Sequence, residues 1–189
     1  MAEKTTFIAT GDAFMTRRLP EGGYPGFAEV QEIIGKHDVK FNNLEITIHN
    51  QEGYPAVVSG GTWAMAEPEI LDDLKKFGFN LYNTANNHSG DYSCGGVLAT
   101  MKYMRERDMI FAGTGATLRE AASPAYLETP NARVALIAAS VCDNTYAAIA
   151  GDQSVDMIGR PGLNPLRFKT TYHVEQKYFD VLQEVVKVQ

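Results

Sequence analysis

Three short clusters in this 189-residue sequence carry side chains able to do chemistry: Gly11-Asp12, Asn42-Asn43-Leu44-Glu45 and Asn86-Asn87-His88. The last lies in LYNTANNHSGDYS, Leu81 to Ser93, where an apolar run breaks into two asparagines, a histidine, a glycine and an aspartate. Carboxylates and amide carbonyls are hard oxygen donors that suit Mg²⁺ or Mn²⁺, and an imidazole beside them suits proton transfer or a borderline metal. Each cluster alone is also ordinary turn chemistry, because Gly-Asp and Asn-Asn pairs are what tight loops use. A shared site requires a fold that brings all three to one place.

The elements around the clusters supply such a fold. TTFIAT, Thr5 to Thr10, is β-branched and aromatic and reads as a buried first strand that delivers Asp12 at its C-terminal end. In FAEVQEIIGKHD, Val30, Ile33, Ile34 and His37 recur at helical spacing, with Gly35 as a stop. Val39 to His49 reads as a second strand, polar at Asn42, Asn43 and Glu45 where a buried strand should be apolar. EPEILDDLKKFG is a helix with Pro68 early, Ile70, Leu71, Leu74 and Phe77 on one face and Gly78 just beyond its end. FNLYNTA is a third strand that runs into the asparagine cluster. GGVLATMKYMRERD is a helix with Val97, Leu98, Met101 and Met104 inward, and a strand follows near MIFAG.

Alternating strands and helices imply a mainly parallel sheet covered by helices, and such sheets bind ligands beyond the carboxyl ends of their strands. Asp12, the Asn43/Glu45 cluster and the Asn87/His88 cluster are all predicted at those ends. PAYLETPNARVALIAAS reads as an antiparallel pair turning at Pro130-Asn131, extending or facing the sheet. Residues 141–172 show no periodicity and are broken by Gly151, Gly159, Pro161, Gly162 and Pro165, so a long irregular loop is expected there. HVEQKYFDVLQEVVKVQ closes the chain as a helix whose apolar side is Val174, Phe179, Leu182 and Val185 or Val186, a face that needs something to pack on.

Composition narrows the function classes. The net charge is -6, with lysines and arginines scattered, so nucleic-acid binding has no electrostatic footprint. Cys94 and Cys142 form no C-x-x-C pair and no disulfide framework, and read as small core or rim residues. The N-terminus lacks a basic segment followed by an apolar run, and no window suggests a membrane span, so a cytoplasmic location is expected of the chain as written, or export by a segment outside it. No G-x-S-x-G, G-x-x-x-x-G-K-[ST] or G-x-G-x-x-G string occurs, which argues against a serine hydrolase or a nucleotide-binding protein.

GDAFMTRR, NNLE, NTANNHSGDY and AGTGATLREA resemble the motifs of the CapA-type poly-γ-glutamate capsule-synthesis proteins, within the calcineurin-like metallophosphoesterase superfamily. The resemblance runs from about Phe7 to Phe168 and implies an α/β metallophosphoesterase-like sandwich, a mainly parallel sheet flanked by helices, as a single domain over residues 1–189 that is incomplete at its C-terminus. It implies that Asp12 is the first metal-binding aspartate, Glu45 the bridging carboxylate, Asn87 the asparagine ligand and His88 the histidine acting on the leaving group. SGGTW and RPGLNPLR resemble family strings too. Asn43 is assigned to substrate binding, while Arg160 and Arg167 either hold an anionic substrate or brace the long loop.

The implied cofactor is a divalent metal, Mn²⁺ or Mg²⁺, with two ions in a complete domain. The implied partners are an anionic polymer, poly-γ-glutamate, or a phosphoester, together with the capsule-synthesis machinery. Two departures stand out. The superfamily's Asp-x-His is Asp12-Ala13-Phe14 here, and the later His-Trp-Gly-like and His-Pro-His-like motifs are absent. Of the other histidines, His37 is expected on a helix face, His49 near the second strand's end, and His173 at the start of the last helix. Asp91 is expected to order its loop or cap the following helix. These features leave two readings, a metal-dependent hydrolase or a non-catalytic protein that binds or anchors acidic polymer through a degenerate site.

Overall fold

A computed structural model describes residues 4–59, 61–141 and 148–187. Four strands, β1 (Phe7–Ala13), β2 (Val39–Leu44), β5 (Leu81–Asn83) and β6 (Phe111–Ala112), form a parallel sheet in the order β1-β2-β5-β6. The crossovers carry helices α1 (Phe27–Gly35), α2 (Ile70–Lys76) and α3 (Ser93–Arg105). This is the parallel α/β architecture expected from the alternation of strand and helix signals.

Side-chain alternation along the strands divides the core in two. Leu44 and Tyr82 face the helical layer, where they join Ile70, Leu71, Leu74 and Met104. Val39 and Leu81 face the other way and pack against Leu127, Val134 and Leu136. Those residues belong to the antiparallel hairpin β8 (Ala125–Glu128) and β9 (Arg133–Leu136), which therefore faces the sheet. Met101 and Met104 are buried, as their helical spacing predicts. Leu98 and Ile33, also predicted inward, are exposed; each lies at the margin of its helix's apolar stripe, and the neighbouring layer covers only the centre.

The expected single strand from Val39 to His49 is two. After Leu44 the backbone leaves the main sheet, and β3 (Thr47–Ile48) pairs with β4 (Met65–Ala66) instead. The break releases Glu45 from the sheet just beyond its carboxyl edge. After β6 come β7 (Thr114–Gly115) and α4 (Leu118–Ala121), with Thr117 capping α4 by accepting the Glu120 N–H.

The segment expected as one irregular loop holds short pairings. Here β10 (Ser140–Val141) pairs with β12 (Pro165–Leu166), β11 (Gly162–Leu163) pairs with β7, and single bridges join Ile149 to Leu163 and Gly151 to Arg160. Cys94 is half-buried, with its thiol 3.4 Å from the Pro161 carbonyl, while Cys142 lies outside the described residues. Helix α5 (Gln176–Lys187) forms where predicted, and none of its residues is buried. No helix among the described residues is long and apolar enough to cross a membrane.

Candidate functional site

The three clusters meet at the carboxyl edge of the sheet. Asp12 of β1 stands opposite Asn43 of β2, and Asn43 opposite Asn83 of β5, so the polar residues occupy one level across three strands. A bulge places Asp12 there: two residues of β1, Thr10 and Gly11, lie between the pairs Ala9–Phe41 and Asp12–Asn43, against one, Asn42, in β2. Asn42, buried at that level, holds the bulge by donating to the Thr10 hydroxyl at 2.9 Å and the Gly11 carbonyl at 3.1 Å.

Asn43 aims Asp12. Its Nδ2 donates to Asp12 Oδ1 at 2.7 Å, and its Oδ1 accepts from Asn83 at 2.6 Å and from Asn86 at 3.0 Å. Asn86 also donates to the Leu44 carbonyl at 2.8 Å, which ties the loop after β5 to the end of β2. Both ends of the Asn43 amide thereby bond neighbouring side chains, which gives the residue a positioning task. Ser89, buried, accepts the Asn86 N–H at 2.9 Å and donates to the Thr84 carbonyl, closing the loop that presents Asn87 and His88.

Asp12 and Glu45 lie close enough for each carboxyl to shift the other's titration. The Asn43 amide is the main cause holding the Asp12 carboxyl below its usual range, helped by Glu45 and by the nearby His88. Burial is the main cause raising Glu45, followed by the hydrogen bond and charge of Asp12, while His88 and the Asn87 amide oppose the rise. These influences put Asp12, Asn43, Glu45, Asn87 and His88 within one neighbourhood.

His88 has a partner of its own. Its Nδ1 lies 2.8 Å from Asp91 Oδ2, and the Asp91 side chain is nearly buried. The same oxygen accepts the Ala64 N–H at 2.6 Å, and the Asp91 carbonyl accepts the Ala56 N–H at 2.8 Å. Asp91 therefore orders its loop, as expected, but it makes no cap to α3, whose N-cap residue is Tyr92 with no side-chain cap hydrogen bond. Phe14 sets its ring edge-on to His88 at 5.2 Å between centroids, so an aromatic side chain occupies the position where the superfamily pattern has an imidazole.

The sequence profile described as bacterial capsule synthesis protein PGA_cap matches residues 6–182. The chain belongs to this family. Its fold is metallophosphoesterase-like, in agreement with the parallel sheet and its helical layer. Two curated relatives from Sinorhizobium fredii, the uncharacterized proteins y4sH and y4uA, are each 35% identical over 185 residues, covering 95% of this chain and 40% of their own length. The capsule biosynthesis protein CapA of Bacillus anthracis is 27% identical over 142 residues, covering 71% of this chain and 34% of its own. The chain thus spans two fifths or less of the curated relatives it matches.

The oxygen donors of Asp12, Glu45 and Asn87 are of the kind that suits a hard divalent cation. Two neighbouring carboxylates repel when both are ionised, and a cation held by them would relieve that repulsion, with the Asn87 amide oxygen as a neutral ligand. Among the described residues no three His, Cys, Asp or Glu side chains gather closely enough to hold an ion by themselves.

The remaining candidates make contacts of their own. Arg160 donates its Nε to the Ile149 carbonyl at 2.6 Å, which braces the strand pairings of the 148–163 segment. Arg167 is exposed just after β12. His49 is fully buried, accepts the Gln51 N–H on Nδ1 at 3.1 Å and packs on Tyr92 at 4.3 Å, and burial lowers its pKa. His37 bonds the Ile33 carbonyl at 3.0 Å within its own helix turn, and His173 lies exposed ahead of α5. Sequence reasoning missed the pairing of Asp91 with His88. The signal was present in their i,i+3 spacing, and it is equally the spacing of ordinary turn chemistry.

Proposed function

We propose that this capsule-synthesis family member carries a metal-assisted hydrolytic site acting on an acidic polymer, poly-γ-glutamate, or on a phosphoester, with His88 as the proton-transfer group. The observation that supports this reading is the His88–Asp91 pair, 2.8 Å long, standing beside the Asp12–Glu45 carboxylates. A buried carboxylate on Nδ1 fixes the neutral imidazole as the Nδ1–H tautomer and leaves Nε2 to take or give a proton at the reacting bond.

Asp12, Glu45 and Asn87 would hold Mn²⁺ or Mg²⁺, the last through its amide oxygen. When bound, the ion supplies an activated water and neutralises charge on a phosphoryl or acyl oxygen. Asn43 keeps the Asp12 carboxylate ionised and aimed, and Asn86 keeps Asn43 in place. As the imidazolium, His88 would give its Nε2 proton to the departing oxygen or nitrogen and return to the neutral Nδ1–H form, with Asp91 stabilising the cation before the transfer.

A second reading, an anchoring protein that binds acidic polymer without turnover, draws on the small number of charged ligands at the site. Assays of the 189-residue chain and of a naturally longer version, with Mn²⁺, on a chromogenic phosphodiester and on the polymer separate the two. Turnover abolished by His88→Ala and Asp12→Ala supports the hydrolase. Saturable polymer binding with no turnover in either form supports the anchoring protein.

A further inference from the structure

The parallel pairing of β1 with β2 is interrupted once, immediately before Asp12. Bulges are uncommon between parallel strands, and they leave residues of the longer strand without ladder partners. Here those residues are Thr10 and Gly11, and the single residue across from them is Asn42. Its side chain gives one amide proton to each, to the Thr10 hydroxyl at 2.9 Å and to the Gly11 carbonyl at 3.1 Å. The Thr10 hydroxyl passes its own proton back to β2, at the Phe41 carbonyl 3.3 Å away. Side chains thus stand in for the missing backbone bonds.

Asn42 does this at a cost to the fold. It is 3% exposed, and its Oδ1 is buried with no hydrogen-bond partner among the described residues. A buried acceptor left unpaired lowers stability, and the other buried side chains of β2, Val39 and Leu44, are apolar. An apolar side chain of the same size would avoid the penalty. What distinguishes Asn42 at this position is its pair of donors.

The register shows what those donors decide. Continued without the bulge, the pairing of Phe7 with Val39 would set Gly11 opposite Asn43 and Asp12 opposite Leu44, on the face that Leu44 buries in the core. A carboxylate without a partner does not stay in an apolar core. The alternative to the bulge is therefore a strand end that comes away from β2.

We infer that Asn42 is a positioning residue for the site: by closing the bulge it holds the end of β1, from Thr10 to Ala13, in the one register that stands Asp12 beside Asn43, and it does so at the expense of fold stability. The hold on the strand end follows from the pairing alone. Its consequence for a bound ion rests on the metal-assisted site proposed above.

Two amides bracket the bulge and separate a local effect from a global one. The Val39 N–H bonds the Thr6 carbonyl at 3.0 Å before it, and the Glu45 N–H bonds the Ala13 carbonyl at 3.3 Å after it. Asn42→Leu keeps the size of the side chain and removes both donors together with the unpaired acceptor. In hydrogen exchange followed by NMR, Glu45 should lose about tenfold or more of its protection while Val39 loses little. The melting temperature should stay within about 5 °C of the parent, because the lost bonds are offset by removal of the orphaned acceptor. Mn²⁺ affinity, measured by calorimetry, should fall about 10–100-fold, the usual effect of removing a group that orients a ligand. Thr10→Val removes one of the two acceptors at a half-buried position, so it should move the Glu45 amide in the same direction by a smaller factor, and it serves if the leucine variant does not fold.

Equal losses of protection at Val39 and Glu45 would make Asn42 a general stabiliser and overturn the inference, as would a Glu45 amide unchanged in both variants. A loss confined to Glu45 with Mn²⁺ affinity unaltered, or with no Mn²⁺ bound by the parent, upholds the hold on the strand end and removes Asp12 as a ligand from the proposed site.

Discussion

Replacing Asp91 by alanine tests the centre of the site without relying on any assay of turnover. The carboxylate accepts two hydrogen bonds on one oxygen, from His88 Nδ1 at 2.8 Å and from the Ala64 N–H at 2.6 Å. Ala64 is 3% exposed, so its orphaned N–H has no water to turn to and costs about 1–3 kcal/mol. The lost bond to His88 adds to this, partly recovered because the half-buried imidazole admits water, for a total of about 2–4 kcal/mol. In a chain of this size that lowers the melting temperature by about 5–15 °C, measured by calorimetry or circular dichroism. Asp91→Asn separates the two roles. With its amide oxygen in the Oδ2 position it still accepts from both the Ala64 N–H and His88 Nδ1–H, but it carries no negative charge to stabilise the imidazolium. Stability falls less, and any His88-dependent turnover falls by on the order of 10²–10⁴-fold, the usual worth of a positioned acid–base group. An alanine variant melting within about one degree of the parent, or an asparagine variant with full turnover, refutes the pairing as the organiser of this site.

Asp73 is fully buried and accepts from Arg18 Nε at 2.6 Å, Lys76 Nζ at 2.7 Å and the Leu19 N–H at 2.9 Å, so it clasps the loop that follows Asp12. Chiefly the Arg18 guanidinium holds this carboxyl well below the usual carboxylate range. A lowered carboxylate stabilises the fold above its unfolded pKa and ceases to as the pH falls. Asp73→Asn should therefore melt lower at neutral pH, with the gap to the parent closing below about pH 3.8, and a constant gap down to strong acid contradicts it. Gly113 has φ +111° and a built Cβ there would lie 2.6 Å from Ala85 Cβ and 3.0 Å from Ala138 Cβ, so Gly113→Ala should cost about 2–5 kcal/mol in chemical denaturation; a loss under about 1 kcal/mol contradicts the close approach. Mn²⁺ should bind weakly by calorimetry and more weakly still as acid protonates Glu45, whose pKa lies above the ordinary 4.5; nanomolar affinity insensitive to Glu45→Gln contradicts the assignment of that carboxylate.

Strand and helix signals, read locally, were enough for the parallel α/β class, for the hairpin at Pro130-Asn131, and for the placement of Asp12, Glu45, Asn87 and His88 at strand ends. Local pattern suffices there because periodicity records which face each element buries, and strand ends in a parallel sheet share one edge. The membership signalled by GDAFMTRR, NNLE and NTANNHSGDY was also legible in one dimension. Division of labour inside the cluster was not. That Asn43 serves Asp12 depends on a bulge in β1 and a register between residues 31 positions apart. That Asp91 serves both His88 and Ala64, or that Arg160 turns to the Ile149 carbonyl, depends on how loops cross above the sheet. Hydrogen-bond partners of polar side chains are chosen by competition among every donor and acceptor the fold brings within about 3 Å, and only the folded chain decides that competition.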